Sequence, residues 1–359
     1  MNKPYIVKSS EYCAVGHPDR TCDYIASHIL DRYLQLDPNA RVALEVQLKD
    51  NYCTVSGEVT AKVAFDAQEI AAMCRNALCE VGYTHGYAEW FGRENAISAS
   101  DVIVMTHISQ QSPDIAQGVA KDGWGDQGIF WGLAVNNPAT GYMPFDYWLA
   151  RRIANGLYKR NADPGRRIGG LDIKTLVTTE DGHATHCVVA VPLIPLTPFD
   201  DVHLRDDVAA FVRSLVGDDC NLVINGTGRY VRHGSIGDCG TTGRKLVVDF
   251  YGGNSRIGGG SPWGKDPSKA DVSLNVLARR RAMTYMTDHG LQEVRCSIAC
   301  CIGQNAIRVC YFDAHDNLLD TDVETTPPSQ VIGDLGLRLP NYARRCREGL
   351  FGFEGAASL

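Results

Sequence analysis

One glycine-rich and basic stretch of this sequence combines the residue types that bind a polyphosphate. Between residues 221 and 271, twelve glycines alternate with arginines, lysines and a few aspartates. Glycine lets the backbone approach a ligand closely, and basic side chains with exposed backbone N–H groups suit phosphate. Asp266-Pro267-Ser268-Lys269 predicts an N-cap at Asp266 and a helix with proline at its first position. A flexible linker is the weaker interpretation, because residues 246–248 form an apolar run that predicts a buried strand.

The composition limits the classes of protein to which the chain can belong. The 359 residues are 44% hydrophobic and 21% charged, as in ordinary globular proteins, and allow two or three domains. A net charge of −7 argues against a general nucleic-acid binder. No apolar run is long enough to span a membrane, and the N-terminus lacks the apolar core of a signal peptide. The 13 cysteines form no zinc-site or C-x-x-C spacing, so we expect reduced thiols and a cytoplasmic location.

Hydrophobic periodicity predicts an α+β fold in which one pattern of elements recurs three times. The expected organisation is three structurally similar units related by a pseudo-three-fold internal repeat: residues 1–120, 121–233 and a trimmed unit at 234–359. The predicted elements are a helix at 18–36, strands at 41–48 and 52–60, a helix at 66–81 and a strand near 97–107; then a helix at 144–160, strands near 171–180 and 183–192, a helix at 204–216 and a strand at 221–225; and lastly a helix at 268–289 with strands near 292–302 and 305–313.

The first predicted hairpin brings carboxylates to one face of a strand pair. If Lys49 pairs with Tyr52, Glu45 lies opposite Ser56 and diagonal to Glu58. Such carboxylates are often simply solvated, but they also line cation or amine sites. A second feature, the aperiodic stretch 110–128 between the first two units, is typical of a long loop, and long loops are often functional lids.

Six motifs, in order along the chain, together resemble one family. They are Gly16-His17-Pro18-Asp19, Gln111-Ser112-Pro113-Asp114-Ile115, Gly125-Asp126-Gln127-Gly128, Gly237-Asp238-Cys239-Gly240, Thr242-Gly243-Arg244-Lys245 and Gly264-Lys265-Asp266-Pro267-Ser268-Lys269. Residues 8–313 are thereby similar to the methionine adenosyltransferases, or S-adenosylmethionine synthetases, which also have a three-fold repeated α+β fold. One such motif alone is a weak signal, but six in the right order are a strong one.

The resemblance implies a reaction in which the sulfur of L-methionine attacks the 5′ carbon of ATP. The displaced tripolyphosphate is then hydrolysed to pyrophosphate and phosphate. Because a neutral thioether needs no base, the site has to orient the reactants and stabilise the negative charge that grows on the leaving group. The resemblance further implies two Mg²⁺ ions and K⁺ at each site, and a homodimer with shared active sites that can assemble into a tetramer.

The resemblance also assigns roles to individual residues. The residues implied to be catalytic are His17, Lys174, Arg244, Lys265 and Lys269. Those implied to bind ATP are His17, Asp126, Asp172, Lys174, Arg229, Tyr230, Arg244, Lys245, Lys265 and Lys269. Those implied to bind methionine are Glu58, Gln111, Ile115, Asp238, Lys269 and Ile302. Magnesium is assigned to Asp19 and Asp271, and potassium to Glu45.

Several features depart from the family pattern. Arg20 stands where lysine is usual, Pro262-Trp263 lies in the glycine loop, and the chain after Asp313 is shorter, with residues 335–355 as a compact remnant. The shortened tail and the altered glycine loop motivate one alternative, a non-catalytic partner subunit. The bulk of Trp124 and Trp263 motivates another, an enzyme of the same class that acts on another thioether or nucleotide.

Overall fold

Three four-stranded sheets, each packed against helices, make up the described part of the chain. The structure is a computed structural model and describes residues 6–110, 122–193 and 198–353. The predicted α+β class is confirmed. Across the described ranges, no helix is both long and apolar enough to cross a membrane, and all 13 cysteines are free thiols, as predicted.

The first part of the chain follows the predicted order closely. Its elements are β1 Val7–Cys13, α1 Pro18–Leu36, β2 Arg41–Lys49, β3 Tyr52–Thr60, α2 Ala67–Val81, α3 His85–Phe91 and β4 Ile103–Ser109. Local signals explain the boundaries of α2, since Asp66 and Glu69 form a capping box and Gly82 ends the helix in the left-handed conformation. In the hairpin, Lys49 pairs with Tyr52 and Glu45 with Ser56, which confirms the predicted register.

The middle part repeats the arrangement of a helix, a hairpin, a helix and a parallel strand. Its elements are β5 Gly128–Val135, α4 Phe145–Ala162, β6 Lys174–Glu180, β7 His183–Ala190, α5 Pro198–Val216 and β8 Asn221–Ile224. The crossover helices α2 and α5 join strands that run parallel, β3 with β4 and β7 with β8.

The last part begins with short elements and then continues with a long helix and an antiparallel meander. Its elements are α6 Gly234–Gly237, β9 Gly240–Thr241, α7 Leu246–Asp249, α8 Ala270–Asp288, β10 Glu293–Cys300, β11 Ala306–Phe312, β12 Leu318–Thr325, α9 Pro328–Asp334 and α10 Tyr342–Glu348. Helix α8 packs tightly on β5, because a Cβ on Gly132 would lie 2.1 Å from the carbonyl oxygen of Ala278.

Each sheet contains one strand from a distant part of the chain. The strand orders are β4-β3-β2-β9, β1-β6-β7-β8 and β12-β11-β10-β5. In each sheet, this distant strand pairs with the outer side of the first hairpin strand: β9 with β2, β1 with β6, and β5 with β10. The unit borders near residues 120 and 233 stay predictions.

Three local predictions are wrong. The strand predicted near 97–107 begins only at Ile103, after a 3₁₀ turn at Ala99–Asp101. The predicted strand at 246–248 is instead the helical turn α7, which is closed by hydrogen bonds from the N–H groups of Asp249 and Phe250 to the carbonyls of Lys245 and Leu246, and only Val248 of the apolar run is buried. Asp266 does not cap a helix: it accepts hydrogen bonds from the N–H groups of Val42 and Ser268, and α8 starts after Lys269. The sequence prediction also lacked β1, β5 and β12.

The C-terminal tail, defined as residues 335–353, docks on α1 through Asp31. The buried Asp31 carboxylate accepts hydrogen bonds from the N–H groups of Tyr342 and Ala343, both at 2.9 Å, at the start of α10. Burial raises the pKa of Asp31 to about 6, although these two N–H groups pull it down. The tail helix is therefore held by a carboxyl group that titrates in an accessible pH range.

The stability of the protein is expected to depend on pH through Asp31. The folded carboxyl group keeps its proton to a higher pH than the unfolded one, whose pKa is near 3.8. The folded state thus binds more protons between these values, and the free energy of unfolding falls as pH rises from about 4 to about 6, by up to about 3 kcal/mol. Thermal denaturation of the wild type and Asp31→Asn should show the wild type gaining relative stability as pH falls. A difference in Tm that stays constant from about pH 4 to 7 would contradict this expectation.

Candidate active site

Asp19 is the centre of a first cluster at the start of α1. Its buried carboxylate accepts hydrogen bonds from Lys245 Nζ at 2.5 Å and from the N–H of Thr241 at 2.9 Å. The guanidinium of Arg244 lies 3.7 Å from the same carboxylate. Burial alone would raise the pKa of Asp19, but Lys245 and Thr241 outweigh it and hold the pKa below its ordinary value. Asp19 is therefore ionised at neutral pH.

His17 is the N-cap of α1 and also faces the charged site. Its Nδ1 accepts a hydrogen bond from the N–H of Asp19 at 3.2 Å. Burial lowers the pKa of His17, and Lys245 adds to the decrease while Asp172 and Asp19 oppose it. Because Nδ1 is an acceptor, the neutral ring carries its hydrogen on Nε2, which leaves Nε2 as a hydrogen-bond donor.

Strand β9 brings the basic pair Arg244-Lys245 to α1. Gly240 and Thr241 pair with Leu48 and Gln47 of β2. A Cβ on Gly240 would lie 2.3 Å from the carbonyl oxygen of Pro18, so only glycine permits this close approach. Arg244 donates to the Cys239 carbonyl at 3.2 Å, yet its side chain is 53% exposed. Its guanidinium is thus accessible to a ligand.

Lys265 and Asp271 form a second carboxylate–lysine cluster. Lys265 Nζ donates to Asp271 at 2.6 Å, and the N–H of Gly260 donates to the other carboxylate oxygen, also at 2.6 Å. The loop is fixed to β2, because the N–H of Leu44 donates to the Gly264 carbonyl at 2.9 Å and Lys265 bridges to Ala43. The glycine loop, Lys265 and Asp271 are thereby held together beside β2.

Glu45 lies on the face of β2 beside this second cluster. Partial desolvation raises the pKa of Glu45, which the nearby Lys265 lowers and Asp271 raises, so Glu45 lies within electrostatic range of both members of this cluster. Glu45 is the residue to which potassium was assigned. Glu58, two residues beyond Ser56 on β3, pairs across the hairpin with Ala43.

Lys174 pairs with Glu11, a residue that the sequence prediction missed. Lys174 Nζ lies 2.8 Å from the Glu11 carboxylate, where β6 and β1 run side by side. Burial would lower the pKa of Lys174, but the hydrogen bond to Glu11 outweighs it and raises the pKa. No motif includes Glu11, and only the pairing of two distant strands reveals it.

The residues predicted for the nucleoside divide into a buried and an exposed group. Asp172 is buried and accepts a hydrogen bond from the N–H of Gly234 at 2.8 Å, and Tyr230 donates to the Asp172 carbonyl at 3.4 Å. Arg229 and Asp126 are exposed instead, and Asp126 accepts from the N–H of Gln127. The structure therefore brings Asp172 and Tyr230 together.

The residues predicted for methionine are less closely grouped. Asp238 is exposed and accepts from the N–H of Cys239, Ile302 is half exposed after β10, and Lys269 is the N-cap of α8. Gln111 and Ile115 lie outside the described residues. Over residues 6–110, 122–193 and 198–353, no hydrogen bond or ion pair joins the Asp19 cluster to the Asp271 cluster.

Comparison with known proteins identifies the family. The family model for the S-adenosylmethionine synthetase N-terminal domain matches residues 5–113, and that for the C-terminal domain matches residues 233–358. An S-adenosylmethionine synthase of Brachyspira hyodysenteriae is 33% identical, over 96% of this chain and 93% of its own. One of Leifsonia xyli is 35% identical over the same shares.

A solved structure agrees in fold. It is described as an unusual S-adenosylmethionine synthetase from Campylobacter jejuni, with a TM-score of 0.84 and 29% identity, covering 97% of this chain and 95% of that one. Three findings indicate the same family. They are the two domain matches, the relatives that align over nearly their whole length, and the two carboxylate–lysine clusters beside glycine-rich segments. The chain belongs to the S-adenosylmethionine synthetase family, whose reaction forms S-adenosylmethionine from ATP and methionine.

Proposed function

We propose that this chain forms S-adenosylmethionine by direct attack of the methionine sulfur on the 5′ carbon of ATP. The proposed catalytic residues are His17, Lys174, Arg244, Lys265 and Lys269. The observation that carries the proposal is that Asp19 and Asp271, far apart in sequence, each hold a lysine of the basic stretch within 2.6 Å. Such pairs would present oriented ammonium groups to a bound polyphosphate, and the proposed reaction needs no residue as a nucleophile.

The chemistry requires negative charge to be stabilised rather than a base to be supplied. As the bond from the 5′ carbon to oxygen breaks, charge develops on the bridging oxygen and spreads over the phosphates. His17 offers the Nε2 hydrogen as a donor, and the cations of Arg244, Lys245 and Lys265 are already oriented by protein carboxylates and carbonyls. We propose that the same cations hold the released tripolyphosphate while it is hydrolysed to pyrophosphate and phosphate.

The donor set fits magnesium that is completed by the substrate. The family generally uses Mg²⁺ and K⁺, and we propose Asp19 and Asp271 for two Mg²⁺ ions and Glu45 for K⁺. Within the described ranges, no group of three or more His, Cys, Asp or Glu residues could hold a metal alone. Mg²⁺ commonly binds one or two carboxylates together with substrate phosphates, so single carboxylates fit it. The bound ions would add positive charge to the phosphate oxygens.

The remaining contacts of the substrates are proposed from the family motifs. We propose that ATP also contacts Asp126, Asp172, Lys174, Arg229, Tyr230, Lys245 and Lys269. For methionine we propose Glu58, Gln111, Ile115, Asp238, Lys269 and Ile302. Trp124 and Trp263 are fully buried, so the structure gives no support to the idea that their bulk selects another thioether.

The decisive experiment is to incubate the purified chain with ATP, L-methionine, Mg²⁺ and K⁺ and to look for S-adenosylmethionine by mass spectrometry. The expected result is a product that depends on methionine. ATP binding without product would contradict the proposal and favour the alternative of a non-catalytic subunit. Adding a partner chain would then test that alternative.

We further propose a cytoplasmic homodimer, able to form a tetramer, in which two copies share active sites. On β4, Ile103 and Met105 are about half exposed, and alternation places His107 on the same open face. His107 pairs with Ser56, which pairs with Glu45, so the proposed potassium residue shares this face. A second copy that covered the apolar residues would also enclose Glu45.

A charge on this face is expected to disrupt the dimer and the activity together. Met105→Lys would bury an unpaired ammonium in the interface, so we expect monomers by analytical ultracentrifugation and a rate lowered by about tenfold or more. Leu36→Lys, at an exposed position at the end of α1, is the matched control and should remain dimeric. A Met105→Lys protein that stays dimeric and fully active would exclude this face as the interface.

A further inference from the structure

Arg20 connects three parts of the chain through one buried guanidinium. Its side chain is 1% exposed and follows Asp19 directly on α1. Nη1 contacts Asp23 Oδ2 at 3.0 Å and also Asp249 Oδ1. Nη2 donates to the carbonyl oxygen of Cys346 at 2.7 Å. Two carboxylates and the C-terminal tail are thus held by the same planar group.

Both carboxylates support the segment that carries Arg244 and Lys245. Asp23 Oδ1 accepts a hydrogen bond from the N–H of Gly243 at 2.8 Å, immediately before Arg244. Asp249 closes the turn after Lys245, because its N–H donates to the Lys245 carbonyl at 2.9 Å. Arg20 therefore touches the groups that fix the two ends of this basic segment.

The glycine loop of the second cluster also packs on Arg20. The guanidinium carbon lies 5.1 Å from the centre of the Trp263 ring, within the range of a cation–π contact. Trp263 is fully buried and precedes Lys265 by two residues. Arg20 therefore contacts residues that lie next to both lysine clusters.

The tail reaches Arg20 through α10. This helix packs on α1, with its start fixed by Asp31. Its last turn then presents the Cys346 carbonyl to Arg20, and Cys346 Sγ lies 3.8 Å from the Arg20 carbonyl. The position of the tail thereby sets one of the hydrogen bonds that orient the guanidinium.

We propose that Arg20 is a positioning residue that links docking of the C-terminal tail to the orientation of Arg244 and Lys245, and so to the affinity for ATP. Only the planar fork of arginine can contact two carboxylates and a carbonyl while stacking on an indole. A lysine in this place has a single ammonium group and would leave buried carboxylate charge poorly compensated. The inference rests on the proposed function, because it concerns the same phosphate-binding residues.

The first test is Arg20→Lys, with kcat and the KM of each substrate measured separately. We expect the KM for ATP to rise by about tenfold or more and the KM for methionine to change by less than about twofold. A merely structural defect would lower the active fraction, and hence kcat, with both KM values unchanged. An unchanged KM for ATP in a folded Arg20→Lys protein would overturn the proposal.

The second test loosens the tail from a distance, and it also serves if Arg20→Lys fails to fold. Asp31→Ala removes the acceptor of both N–H groups at the start of α10, and faster hydrogen exchange at residues 342–348 would verify that the tail is loosened. We expect the KM for ATP to rise by about threefold in the wild-type background and to change no further in Arg20→Lys, as coupled sites require. The link between the tail and Arg20 would be refuted if the two substitutions multiplied their effects on the KM for ATP. It would also be refuted if the tail loosened and the KM for ATP stayed unchanged.

A matched control lies on the same tail helix. Arg344 is 60% exposed and pairs with Glu348, so Arg344→Ala should leave both KM values unchanged. An altered KM for ATP in Arg344→Ala would contradict the specific route through Arg20. The proposed function is tested independently, because a wild type that forms no S-adenosylmethionine refutes that function. If the wild type is active but the Arg20 and Asp31 variants keep its KM for ATP, only this inference is refuted.

Discussion

Replacing Asp19 by asparagine is expected to lower kcat by about 10²- to 10³-fold, the loss seen when one preorganised electrostatic group is removed. Asp19 holds Lys245 at 2.5 Å and Thr241 at 2.9 Å, and Arg244 lies 3.7 Å away. The neutral amide would accept more weakly from Lys245 and would be a poor ligand for a hard cation. We also expect the Mg²⁺ concentration for half-maximal rate to rise.

Asp288→Asn, at an exposed position at the end of α8, is the matched control and should keep wild-type kinetics. Circular dichroism and Tm would show whether each variant is folded. A folded Asp19→Asn enzyme with a nearly wild-type rate and an unchanged Mg²⁺ requirement would remove Asp19 from the proposed site.

Replacing Lys265 by methionine has the second large expected effect. The change keeps most of the side-chain length but removes the ammonium that Asp271 orients at 2.6 Å. In the proposed mechanism this cation stabilises the charge that grows on the leaving group, so kcat should fall by about 10²-fold, while the KM for methionine changes little. Stopped-time assays of S-adenosylmethionine at saturating ATP measure the effect.

Lys62→Met is the control for Lys265→Met, since Lys62 is exposed and lies outside the site. Asp271→Asn should resemble Lys265→Met in direction, because each removes one member of the same pair. If Lys265→Met kept kcat within about threefold of the wild type, the leaving group would have to be stabilised elsewhere.

The sequence predicts best what local periodicity and short motifs encode. Helices α1 and α2 and the register of the β2–β3 hairpin follow from apolar spacing, caps and a tight turn. Asp19, Lys245, Lys265 and Asp271 lie in or beside motifs that can be recognised without a structure. Their grouping into two carboxylate–lysine clusters, however, comes only from the fold.

Long-range pairing accounts for most of what the sequence does not predict. Glu11 acquires its partner Lys174 only because β1 lies beside β6. Asp266 resembles a helix cap, but it is engaged by Val42 from another part of the chain. The same holds for Arg20, whose partners Asp249 and Cys346 lie more than 200 positions away. Such contacts have no local signature.

The exchange of strands among the three sheets has a consequence for the order in which the chain can fold during its synthesis. Strand β1 is made first but cannot pair until β6 has left the ribosome, and the sheet of β2–β4 lacks β9 until residues 240–241 are made. Pairing over such distances implies a high contact order and slow folding. The nascent chain therefore carries open strand edges for most of its synthesis, and we expect chaperones that shield such edges to raise its folding yield.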